Sequence, residues 1–65
     1  MLFASPYQVF IELAGLIDAV KFQTYEEASS FAHELLRDKP TGKLTVYAPH
    51  KTTGLPTAVW SYERG

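Results

Sequence analysis

Apolar and polar residues alternate in the first half of the chain, then switch to a helical period. In Tyr7–Leu13, YQVFIEL, the side chains of Tyr7, Val9, Ile11 and Leu13 share one side of an extended backbone. Gln8, Phe10 and Glu12 take the other. Ala14–Gly15 is a tight connection in which glycine supplies the positive φ a hairpin turn commonly needs. Leu16–Gln23, LIDAVKFQ, returns as a second strand. Its apolar face is Leu16, Asp18, Val20 and Phe22, because Lys21 and Gln23 then lie with Glu12. Asp18 fits that face badly. Either it sits at a rim reached by water, or a bulge near Gly15 turns the first residues over.

The period changes at Thr24–Arg37, TYEEASSFAHELLR. Ala28, Phe31, Ala32 and Leu35 fall at i, i+3, i+4 and i+7, a single apolar stripe. Thr24 followed by Glu27 predicts a capping box, with the hydroxyl on the Glu27 N–H and the carboxylate on the Thr24 N–H. Glu26 and Glu27 oppose the positive end of the helix dipole, and Arg37 sits near the negative end. Two alanines in the stripe let the helix approach a flat surface closely. Pro40 ends it by disfavouring helical geometry at Lys39.

Beyond the helix, Lys39–Lys43, KPTGK, is a proline-glycine turn. It lacks the earlier glycine and the strand-to-helix setting of a phosphate-binding loop. Leu44–Ala48 is a third strand, with Leu44, Val46 and Ala48 facing the helix and Thr45 and Tyr47 facing away. Pro49–Pro56 is a long loop, and Thr57–Tyr62 is a fourth strand pairing back on the third. The expectation is one α+β domain over residues 1–65: β-β-α-β-β, an antiparallel sheet with one helix packed on one face. Compactness places strand three beside strand one.

Composition adds limits. With 65 residues and no cysteine, the chain has no room for a second domain and no disulfide or thiolate metal site. A core this small supplies about 3–5 kcal/mol of stability. The chain is 46% hydrophobic and 14% aromatic, which argues for a folded domain rather than disorder. Charge is uneven. One lysine against five carboxylates leaves residues 1–34 at −4, and five basic against two acidic residues leave 35–65 at +3. Met1–Phe10 has no basic start, and Pro6 interrupts its apolar run, so no signal peptide is expected. No segment approaches the length of a membrane span. A cytoplasmic protein is the simplest expectation.

One helix cannot cover both faces of four strands. The opposite face is expected to present Gln8, Phe10, Glu12, Ala19, Lys21, Thr45 and Tyr47, with either Trp60 or its neighbours Val59 and Ser61. Its aromatic patch suits a protein partner or a homodimer seam. An unpaired edge strand is a second route to association. Register decides the outcome, since a slip of one residue exchanges the faces. Scattered exposed aromatics flanked by charge are also ordinary surface. A nucleic-acid interface is the alternative, with Lys39, Lys43, His50, Lys51 and Arg64 as a basic rim beside stacking Tyr47 and Trp60. Against it stands the net charge of −1.

Catalytic chemistry is sparse. His33 lies on the helix and His50 in a loop, without paired-histidine or HExxH spacing. Ser29 and Ser30 occupy a helix flank rather than a nucleophile elbow. Glu26 and Glu27 are explained by capping. No catalytic residue, metal ligand or cofactor is expected.

The run VKFQTYEEASSFAHELL, Val20–Leu36, resembles the amino-terminal arm-binding domain of tyrosine integrases: a strand ending in an aromatic, a threonine, an acidic pair, then an amphipathic helix. That resemblance implies DNA read through a sheet. The family's strands are rich in lysine and arginine, whereas this chain has Phe10, Glu12, Asp18 and Ala19. Over Tyr7–Tyr47 the element order also resembles small phage-encoded inhibitors of bacterial RNA polymerase, which implies docking on a host enzyme. The expected function is thus a small non-catalytic regulatory module, phage- or mobile-element-derived, binding a protein through its helix-free sheet face or an edge strand.

Overall fold

A computed structural model describes residues 6–65; the signal-peptide reading above rests largely on Met1–Ser5, which lie outside the described residues. The elements are β1 (Tyr7–Leu13), β2 (Leu16–Phe22), α1 (Tyr25–Leu35), β3 (Gly42–Pro49) and β4 (Pro56–Arg64). The strands form one antiparallel sheet in the order β2-β1-β3-β4. This is the expected α+β arrangement, including strand three beside strand one. The last two strands run further than their hydrophobic pattern suggests. Gly42 pairs with both Leu13 and Arg64, and Pro49 pairs with Pro56, so the ladder continues past the apolar residues.

Thr24 caps the helix, its Oγ1 accepting from the Glu27 N–H at 3.2 Å. The return contact differs from a full capping box. The Thr24 hydroxyl donates to Glu27 Oε1 at 3.3 Å, and the carboxylate does not take the Thr24 N–H. At the other end the backbone tightens early. Leu36 N–H is shared between the Ala32 and His33 carbonyls, and Arg37 N–H reaches Glu34, three residues back. The helix therefore stops at Leu35 rather than Arg37. Lys39, at φ +48, turns the chain toward β3.

The enclosed core is Val9, Ile11, Leu13, Ala28, Ala32, Leu44 and Val46. Ala28 and Ala32 have no accessible surface, which is the close approach their small side chains permit. Phe31 packs against Phe22 with ring centroids 5.1 Å apart, and Tyr25 meets Tyr7 edge-on at 6.2 Å. Tyr62 donates its hydroxyl to the Pro40 carbonyl at 2.7 Å and Arg64 donates to the Lys39 carbonyl at 3.1 Å. These two bonds tie the last strand to the turn that follows the helix.

The β1–β2 ladder runs without a bulge from Tyr7↔Phe22 to Leu13↔Leu16. Asp18 is therefore a solvent-reached rim residue, the first of its two expected placements. Both turn residues have positive φ, +50 at Ala14 and +84 at Gly15, as a type I′ hairpin requires. Alanine is poorly suited to that conformation and asparagine tolerates it. Ala14→Asn is expected to stabilise the fold by about 0.5–1 kcal/mol, raising the thermal midpoint by several degrees. An unchanged or lower midpoint in a melting experiment would contradict the turn assignment.

Candidate interaction face

The surface opposite the helix is organised in three rows across the strands. Row one holds Ile17, Glu12, Lys43 and Glu63; row two Ala19, Phe10, Thr45 and Ser61; row three Lys21, Gln8, Tyr47 and Ala58. Alternation fixes these assignments, because Val9, Ile11, Leu44 and Val46, the neighbours of Phe10 and Thr45, are buried under the helix. Phe10 and Tyr47 stand on diagonal positions of β1 and β3, a spacing within reach of aromatic side chains. Both are half-buried, and between them Thr45 is only 8% exposed. The centre of this face is thus a shallow aromatic platform without any help from the helix.

Glu12 and Lys21 lie on this face as expected, Lys43, read as a turn residue, joins them, and Trp60 does not. Trp60 pairs with Val46, packs on the core and lies 5.7 Å from the His33 ring, on the helix side. The cause is a register shift between Val46 and Tyr47. Trp60 opposes Val46 but Ala58 opposes Tyr47, so Val59 is an extra residue on β4. Val59 is half exposed and lines an open groove with Ala48 and Thr57. Strict alternation carries no signal for such an insertion.

The expected basic rim is also corrected. Lys39, Lys43 and Arg64 gather at one end of β3, while His50 and Lys51 lie beyond the other. The separation is on the order of 20 Å at a strand's rise per residue. Lys43 stands in register between two acidic residues, Glu12 and Glu63, a poor setting for a phosphate contact. Arg64 is engaged with the Lys39 carbonyl. Tyr47 and Trp60 sit on opposite sides of the sheet, so they cannot form one stacking surface.

Both histidines have local roles. The His33 ring Nδ1 bonds the Ser29 carbonyl at 2.7 Å, completing a contact one helical turn back. His50 Nδ1 accepts from the N–H groups of Thr52 and Thr53 at 3.1 and 3.4 Å and so shapes the β3–β4 loop. Among the described residues no group of three or more His, Asp or Glu side chains could hold a metal ion. None of the described helices is long and apolar enough to cross a membrane.

Thr45 lies on this face as its position in the strand predicts, and Ser61, beside it on β4, takes the place left open between Trp60 and its neighbours. Thr45 was recognisable by its outward position in LTVYA, but its burial, at 8% exposure between Phe10 and the diagonal Tyr47, was not. Ile17, 70% exposed, was also missed.

No family model, no curated protein and no solved structure matches this chain.

Proposed function

We propose that this chain is a small, non-catalytic interaction module of regulatory type, acting in the cytoplasm, that binds a protein partner through its helix-free sheet face or an edge strand. The observation that supports it is the Phe10–Thr45–Tyr47 platform, an aromatic centre left open on the face the helix does not reach. Aromatics at the middle of a surface with polar and charged residues around them match the anatomy of protein interfaces. A phage or mobile-element origin belongs to the same proposal and rests on the strand-strand-helix-strand order. The nucleic-acid reading has less support, since its basic residues are divided between two ends of the sheet.

Capture from a bacterial lysate tests the platform. Wild type is compared with a Phe10→Ala, Tyr47→Ala double variant, after circular dichroism has shown that both are folded. The variant is expected to lose the captured partner. Equal capture by the two proteins would remove this face from the proposal.

A further inference from the structure

The outer strand β2 uses one backbone edge on β1 and leaves the other open. Because the hairpin turn has two residues, Leu13 and Leu16 form the first hydrogen-bonded pair. The ladder bonds of β2 therefore fall on Leu16, Asp18, Val20 and Phe22. The N–H and C=O groups of Ile17, Ala19 and Lys21 point outward. One of them has a local partner: the Ala19 N–H donates to Asp18 Oδ1 at 2.8 Å. The opposite edge of the sheet is less suited to strand addition. It begins with Pro56 and is interrupted by the extra residue Val59.

We propose that β2 pairs antiparallel with β2 of a second copy of this chain, about a twofold axis through Ala19, to give one continuous eight-stranded sheet. The proposal rests on the reading of the chain as an interaction module and names one partner for its edge. Ala19 is the middle residue of Leu16–Phe22, so this register pairs the strand along its whole length. Registers centred on Asp18 or Lys21 would set like charges directly opposite each other, which is destabilising. The Ala19 register avoids both, and it places the smallest side chain of the strand on the axis.

The same register matches what the isolated chain leaves exposed. Leu16 is 56% exposed on the helix-side face, where its own helix does not reach. Phe22, at the other end of the strand, is half-buried against Phe31. The twofold axis sets each Leu16 beside the partner's Phe22, continuing an apolar layer already begun. On the other face Ile17 meets the partner's Lys21. The lysine stem covers Ile17, and its ammonium group reaches toward Glu12, which lies across from Ile17 on β1. Both contacts occur twice in the symmetric pair. Asp18 opposes association, since its carboxylate must release the Ala19 N–H before the partner's carbonyl can accept it.

Sedimentation equilibrium across the micromolar to millimolar range tests the pairing. Wild type is expected to pass from monomer to dimer, and Asp18→Ala to do so at roughly tenfold lower concentration. Lys21→Glu, which sets a carboxylate near the partner's Glu12, and Ala19→Pro are expected to remain monomeric. The Ala19 N–H is outside the β1 ladder, so proline there spares the intramolecular bonds; a urea titration confirms that each variant is folded. Monomeric behaviour of both wild type and Asp18→Ala, or dimerisation unaffected by Ala19→Pro, would overturn the proposal. The Phe10→Ala, Tyr47→Ala variant leaves the β2 edge intact. Capture retained by this variant while wild type dimerises as expected would count against the platform alone, and capture lost while wild type and Asp18→Ala stay monomeric would count against the edge alone.

Discussion

Gly42→Ala is expected to leave the protein largely unfolded at 25 °C. Gly42 has φ +133, a conformation that residues with side chains rarely adopt, and holding alanine there costs on the order of 1–3 kcal/mol. Space makes matters worse. A Cβ at this position would lie 2.1 Å from the Glu12 carbonyl oxygen and 2.9 Å from the Leu13 Cα. Those are backbone atoms of the neighbouring strand, so no rotamer change relieves the clash, and β1 and β3 must separate. Overpacking of that kind adds about 1–3 kcal/mol. Together the two effects approach the whole stability of a domain this size, roughly 3–5 kcal/mol. Gly15→Ala is the control: its φ is also positive, at +84, but nothing lies within 4 Å of the added carbon. It should lose only about 1–2 kcal/mol. Urea titrations followed by Trp60 fluorescence should show a cooperative transition for Gly15→Ala and none for Gly42→Ala. Matching midpoints would mean that β1 and β3 approach less closely than described.

Leu44→Ala should cost about 2–5 kcal/mol, the range for deleting a fully enclosed leucine side chain. Leu44 has no accessible surface and lies in register between Ile11 and Tyr62, beneath the helix. The vacated space has little chance to collapse, because strands close it on both sides. Leu44→Met keeps most of the volume and should cost less than about 1.5 kcal/mol. Leu16→Ala, at a position more than half exposed, should shift the urea midpoint little. A loss below about 1 kcal/mol for Leu44→Ala would show that the core is loosely packed there.

Much of the architecture was legible in the residue pattern. Alternation through Tyr7–Leu13 and the stripe Ala28, Phe31, Ala32, Leu35 determined which surfaces meet. Compactness then placed β3 against β1. Phe10 and Tyr47 could be assigned to the open face because each is adjacent in sequence to a residue that must be buried, Val9 and Val46. Trp60 was not legible. Its face depends on the extra residue Val59, and an inserted residue leaves no trace in a period-two pattern. LIDAVKF reads as a half-buried strand, yet the helix shelters only its Val20–Phe22 end, leaving Leu16 and Ile17 in water. The basic rim failed for a different reason. Residues close in a list of loops can sit at opposite ends of a strand. Gly42 looked like ordinary turn chemistry, since the carbonyl that excludes a side chain there comes from thirty residues upstream.

Among the described residues, all seven enclosed hydrophobic side chains come from β1, α1 and β3. Neither outermost strand supplies one. Mutations at the exposed positions of β2 and β4 can therefore accumulate at small cost to folding. Val20, Phe22, Trp60 and Tyr62, which pack on the core, and the three inner elements tolerate few. A lineage built on this plan could rewrite the contacts of its outer edges freely, whereas the platform on β1 and β3 is carried by the same strands that make it fold.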